Sequence, residues 1–273
     1  MIRPPAVAGR FYSDDPARLQ ETVDSLLAPS FREQSDDKKI RARACMVPHA
    51  GYMYSGAVAG KVFRRIEIPS RVILAGPRHY PRGAPMAIVS EGAWQTPLGF
   101  APIDSPLAKK IARACMLLRE DQVAHSAEHS LELQLPILQR LAPAFSFVPI
   151  VIASVSYEHL ESLGRAFAEV LRSERDPVLL VASSDMNHYE SDAVTRVKDR
   201  KAIDRILALD PRGLYDTVRN EEISMCGYGA AVAALIAARE LGATHSELLR
   251  YATSGDVNGD LSEVVGYAGI VIP

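Results

Sequence analysis

Short runs of apolar residues alternate along this chain with longer amphipathic segments. The runs are ARACMVP (42–48), RVILAG (71–76), PMAIVS (85–90), FSFVPIVIA (145–153), PVLLVAS (177–183), ELLRYAT (247–253) and VVGYAGIVI (264–272). Several are apolar throughout, as a strand covered on both faces must be. The segments between them predict helices at roughly 15–28, 56–66, 104–118, 129–142, 157–173, 192–209 and 228–241. This order predicts an α/β fold, a layered sandwich with a central mixed, largely parallel sheet and helices on both faces. The stretch 77–103, dense in proline and glycine, reads as an ordered surface excursion of hairpin type. No linker-like tract and no internal repeat divides the chain, so one domain spanning 1–273 is expected.

Composition narrows the function classes. With 273 residues, 48% of them apolar, the chain can bury a substantial core. A formal charge of −2 with scattered Lys and Arg leaves no basic field for a phosphate backbone or an anionic membrane, which argues against nucleic acid and membrane as partners. The longest apolar stretch, AAVAALIAA at 230–238, is too short to span a bilayer, and MIRPPAVAGRFY lacks the pattern of a signal peptide. Cys45, Cys115 and Cys226 are odd in number and widely spaced without a CxxC pair, which speaks against a disulfide framework or a Cys-only zinc site. A reducing cytoplasm is the expected location.

Ligands of open α/β sheets bind outside the carboxyl ends of the strands, where loops diverge. The chemistry-bearing residues of this chain gather at such boundaries. His49 follows ACMVP in PHAGYMYSG, His79 follows VILAG in GPRHY, and Asp185 and His188 follow LLVA in SSDMNH. One loop histidine is usually only solvated or hydrogen-bonded, whereas three at equivalent strand ends suggest a shared site. Cys226, in SMCGYGAAVAALIAA, stands at the start of an apolar helix, where backbone N–H groups favour a thiolate suited to a metal or to nucleophilic chemistry. Cys45 and Cys115 read as small buried hydrophobes. The GYG after Cys226 lacks a preceding strand and a third glycine, so no nucleotide cofactor is expected. In HSAEHSLELQLP (125–136), His129 and Glu132 would share one helix face, as an oriented histidine and its carboxylate or as two ligands. Equally, this is an ordinary helix start with Glu128 and Glu132 favoured by the dipole. His125 reads as structural, and His159 and His245 as surface residues.

RPPAVAGRFY, PHAGYMYSG, GPRHY, TPLG, EHSLELQLP, SSDMNH, CGYG and TSGDVNGD, in this order from residue 3 to about 271, resemble the Memo family, the Memo component of the Amme–Memo–radical-SAM gene group. That family is similar in fold to the class III extradiol ring-cleaving dioxygenases, which are non-haem iron enzymes. The resemblance implies a metal held by His49, His79 and Cys226, with Asp185 and His188 lining the same pocket as catalytic residues. It implies iron or copper as cofactor and redox chemistry on a small molecule, with a peptide or other components of the gene group as further partners. Ring cleavage uses two histidines and a carboxylate on iron, and a thiolate in place of the carboxylate shifts preference toward Cu(I), Zn(II) or thiolate-bound iron. His188 could act as a base with Asp185 holding its tautomer, or Asp185 could itself bind the metal. Two alternatives stand beside this: a metal-independent hydrolase or transferase using Cys226, His188 and Asp185, and a peptide- or partner-binding protein that keeps only the crevice. The five residues His49, His79, Asp185, His188 and Cys226 are expected to converge in one pocket.

Overall fold

The computed structural model describes residues 1–29 and 39–273. In chain order its elements are β1 (Ile2–Arg3), α1 (Pro16–Leu27), β2 (Ala44–Val47), α2 (Tyr52–Arg65), β3 (Arg71–Pro77), β4 (Met86–Ile88), β5 (Ala93–Thr96), β6 (Gly99–Pro102), α3 (Ser105–Ala114) and β7 (Arg119–Glu120). There follow α4 (Leu135–Leu141), β8 (Ser146–Ile152), α5 (Tyr157–Ser173), β9 (Val178–Ser183), β10 (His188–Glu190), α6 (Asp192–Leu207), α7 (Pro211–Asn220), α8 (Tyr228–Glu240), β11 (Glu247–Thr253), α9 (Gly255–Asn258) and β12 (Val264–Ile272).

The main sheet has the order β10-β12-β2-β9-β3-β8-β4-β7, with β11 also paired to β12. Its centre, β2-β9-β3-β8, is parallel. The flanks turn antiparallel, β12 against β2, β10 and β11 on one side and β4 against β8 on the other. The sheet is therefore mixed around a parallel core, whose strands are buried apolar runs, and the long antiparallel β12 beside them is buried almost throughout as well. α8 lies against β2, β3 and β9, with α5 and α7 packed on it, while α2 lies against β2, β11 and β12 and is backed by α1 and α4. α8 shows no apolar stripe because it is enclosed on every side, from Gly229 to Ala238. Its partner α5 approaches so closely at Gly164 that a Cβ there would lie 2.7 Å from the Ala233 carbonyl oxygen.

The excursion expected at 77–103 contains the β5–β6 hairpin, which joins β1 in a separate three-stranded sheet. The short strands β1, β7 and β10 and the one-turn α9 were not foreseen, and two longer helices also depart from the sequence reading. α7, unforeseen, starts on Pro211 with Asp210 accepting from the Gly213 N–H, and its Gly213 masked the helical pattern. The helix expected from 129 begins only at Leu135, preceded by a 3₁₀ turn at Glu132–Gln134. Pro136 explains the delay. Lacking an N–H, it fits the first helical turn but would break a helix already running from 129.

Candidate metal centre

β2, β3 and β9 are parallel, so the loops after them open at the same end of the sheet. They deliver His49, His79 and Asp185 there, and Cys226 arrives on the turn that leads into α8. With His188 and His129 these residues line one cleft of about 850 Å³, whose walls also carry Arg10, Phe11, Tyr54 and Tyr267. Among the described residues the set of potential ligand atoms that meet is three imidazoles, one ring nitrogen each of His49, His79 and His129 within 4.8 Å of one another; His129 stands in this set where the sequence reading had Cys226. The His79 and His129 rings are stacked, with centroids 4.5 Å apart.

The hydrogen-bond partners fix which nitrogen of each ring is free. Ser183 Oγ donates its single proton to the Ser130 carbonyl (2.7 Å), so at its 2.8 Å contact with His49 Nδ1 it must accept. His49 therefore carries its proton on Nδ1, and Nε2 faces the cleft. Burial, then the neighbouring His79, lowers the His49 pKa well below its ordinary value, so the ring is neutral. His79 Nδ1 contacts Glu128 Oε1 at 2.8 Å, and the His79 backbone N–H donates to Oε2 at 2.6 Å. The His129 and Ser130 N–H groups add two more donors to Oε1. Burial alone would raise the Glu128 carboxyl, but these bonds, led by that of His79, hold it down at about 2. Glu128 thus stays an acceptor and turns the His79 Nε2 lone pair outward. A carboxylate that orients an imidazole in this way is the usual second layer of a metal site.

His129 has a buried Nδ1 with no hydrogen-bond partner. Burial, then His49, lowers its pKa to about 4, which leaves it neutral as well. Cys226 Sγ lies 3.3 Å from His49 Nε2 and accepts from the Asp185 N–H at 3.3 Å. Two donors sharing an ion at about 2.0–2.3 Å stand roughly 3–3.6 Å apart, so this contact has the spacing of neighbouring ligands. Neutral imidazoles with free nitrogens, an orphaned buried ring nitrogen and an adjacent sulfur together fit a borderline-to-soft metal ion. The expected ease of thiolate formation is offset, because burial first and the nearby Asp185 second push the thiol above its ordinary value.

Asp185 Oδ1 accepts from the His49 N–H at 2.7 Å, and burial pushes its carboxyl upward. It does not hold the tautomer of His188. That role falls to Ser224, whose carbonyl takes the His188 Nδ1–H at 2.9 Å while its hydroxyl accepts the His188 N–H at 2.7 Å. The Cys226, His188 and Asp185 chain proposed for a nucleophilic enzyme is accordingly not hydrogen-bonded as a relay. Glu132, paired in sequence with His129, is fully buried elsewhere and binds Arg3 (2.7 Å), the Tyr12 hydroxyl (2.6 Å) and the N–H groups of Ala6 and Val7. Its effect on the cleft is indirect, since it anchors the segment that sets Phe11 edge-on to His129. Glu128, Ser183 and Ser224 are the orienting groups that sequence reasoning missed, although Glu128 adjoins His129 in the chain. Cys45, Cys115 and His125 are buried apart from the cleft, and His159 and His245 are exposed.

The Memo-like protein family model matches residues 3–271. A MEMO1 family protein of Aquifex aeolicus is 42% identical, covering 99% of this chain and 98% of that one. A MEMO1 family protein of Methanopyrus kandleri is 40% identical, covering 99% of both. Among solved structures, uncharacterized protein JW3007 of Escherichia coli K12 matches with a TM-score of 0.58 at 15% identity, over 85% of this chain and 100% of that one, a likeness of fold. Among the described residues no helix is long and apolar enough to cross a membrane. With a full-length model match and relatives at this identity over nearly every residue, the chain belongs to the Memo-like protein family.

Proposed function

We propose that the chain is a metal-binding protein that holds iron or copper through His49, His79 and Cys226, with His129 as a further imidazole donor, and carries out redox chemistry on a small molecule in the dioxygenase-like cleft. The observation that supports a metal here is the meeting of the His49, His79 and His129 nitrogens within 4.8 Å, two of the rings having their Nδ1 protons tied back into the protein, while Cys226 is supported by its 3.3 Å approach to His49 Nε2. An ion bound there would supply one-electron and Lewis-acid chemistry at the floor of the cleft. The chain's own residues do the rest. His188, with Nδ1–H held by Ser224, turns Nε2 toward the cleft and is suited to take or return a substrate proton. Asp185 braces the His49 backbone, and Arg10 at the lip offers a cation to an anionic group. A metal-independent cysteine nucleophile has weaker support, because Cys226 contacts His49 while His188 is engaged by Ser224.

Metal analysis of protein purified without oxygen and supplied with Fe(II) or Cu(I) tests the reading. Wild type is expected to retain stoichiometric metal that His49→Ala loses and Cys226→Ser holds more weakly, with circular dichroism unchanged in all three. Wild type holding no more of either metal than His49→Ala overturns it.

A further inference from the structure

Asp199, in the middle of α6, is fully buried and takes no part in the cleft wall. Its Oδ1 accepts the Asn187 backbone N–H at 2.8 Å, and its Oδ2 accepts the Tyr251 hydroxyl at 2.7 Å. It reaches Asn187 past Gly266, where any Cβ would overlap Oδ2. Asn187, itself buried, then divides its side-chain amide. Oδ1 accepts both the N–H and the hydroxyl of Ser224 at 3.1 Å, and Nδ2 donates to Glu190 at 2.6 Å. Since an N–H can only donate and a carboxylate here accepts, these partners fix the amide orientation.

Ser224 is the residue that holds both the backbone and the ring of His188. Asn187 therefore grips the chain on either side of Tyr189, through Ser224 toward His188 and directly at Glu190. Tyr189 is the strained point between them, a non-glycine residue at φ 60° that is 73% exposed. Such a conformation persists only where the surroundings hold it, and strain of this kind concentrates at functional positions.

We propose that Asp199 is a positioning residue which, through Asn187 and Ser224, holds His188 as its Nδ1–H tautomer with Nε2 directed into the cleft. The inference rests on the proposed role of His188 in proton handling at that site. It assigns a purpose to a buried carboxylate that makes no contact with the metal-binding residues.

The test is the tautomer of His188, read from long-range ¹H–¹⁵N correlations of ¹⁵N-histidine-labelled protein stripped of metal with a chelator, with His188→Gln used for assignment. Wild type is expected to show His188 protonated at Nδ1. In Asp199→Asn the Nε2–H fraction is expected to rise about fivefold, the change produced by losing one ordinary hydrogen bond. His49, fixed independently by Ser183, serves as internal control and keeps its signals. Tyr251→Phe, which frees only Oδ2, is expected to shift His188 in the same direction by about twofold, within the range for a weakened bond. If Asp199→Asn does not fold, Tyr251→Phe decides alone. A wild-type tautomer ratio in the folded variants, or Nε2–H in wild type itself, overturns the proposal. Because the protein is metal-free, that failure is separate from failure of the metal reading, which the metal analysis decides.

Discussion

Glu128 and Glu132 stand four residues apart on one segment, and both are fully buried, yet they hold together different parts of the molecule. Glu128 collects N–H donors from the loop after β3 and from its own chain, including the ring of His79. Glu132 collects its donors from residues 3–12, the guanidinium of Arg3 among them. Burial and residue type are shared, so neither distinguishes a site carboxylate from a fold carboxylate. The distinction lies in what each donor does with its other end. His79 has a second nitrogen facing the cleft, whereas Arg3 stacks its guanidinium over Trp94 at 4.0 Å and closes off structure.

The sharpest way to break this comparison is to remove Glu132. Glu132→Ala leaves Arg3 without its carboxylate and strands a buried hydroxyl and two backbone N–H groups, which is expected to destabilise the fold by about 3–5 kcal/mol. Chemical denaturation measures it, with metal stoichiometry per folded molecule retained. A loss below about 1 kcal/mol, the level of an exposed ion pair, would show that the clamp is dispensable.

Asp199 supplies a third buried carboxylate whose net shift is the opposite one. Glu128 has four N–H donors and is held near 2, while Asp199 has one N–H and a phenol, and burial raises it to about 7. Tyr251 of β11 lowers it through a hydrogen bond and Arg196 of α6 through its charge, while Glu190 of β10 raises it. A folded pKa above the unfolded 3.8 means that the native state binds the proton more tightly. The stabilisation is complete below 3.8 and lost as pH rises through about 7. Its size is on the order of 4 kcal/mol. Subtracting the pH–stability curve of Asp199→Asn from that of wild type is expected to isolate a slope in this window, and a flat difference would contradict it.

Much of this arrangement could be read from the sequence because its signals are local. His49, His79 and Asp185 lie next to apolar runs that become parallel strands, and the rule about carboxyl ends of such strands brings them to one mouth. The runs at 71–76 and 177–183 match β3 and β9 within one residue. The orienting groups were not legible, because their roles depend on contacts between distant positions. Ser183 is 134 residues from His49, and Ser224 is 36 from His188. The pairing of His129 with Glu132 assumed a continuous helix, and Pro136 removed it. Without helical spacing, the residue beside His79 became Glu128.

The proposed metal site sharpens the contrast between the two glutamates. Glu128→Gln removes the charged acceptor of the His79 Nδ1–H and frees the ring to turn, so Fe(II) or Cu(I) affinity is expected to fall about 10–100-fold. Glu132→Gln, measured in the same titration on folded protein, is expected to leave affinity unchanged. Equal losses in the two variants would erase the division between site and fold.

The smallest effect comes from the other oriented histidine. His49 gives its Nδ1–H to a neutral hydroxyl rather than a carboxylate, and a hydrogen bond to a neutral acceptor is about half as strong as one to an ion. Ser183→Ala removes that acceptor, yet His49 remains braced by its backbone bond to Asp185, and Gln134 still reaches the Pro48 carbonyl at 2.9 Å. The ring loses its tautomeric preference but keeps its place. Metal affinity is expected to fall by only about fivefold, the worth of one ordinary hydrogen bond. Competition titration against a chelator of known affinity resolves this from the Glu128→Gln effect. A loss in Ser183→Ala as large as in Glu128→Gln would mean that tautomer alone, and not the carboxylate's charge, governs how these imidazoles are held.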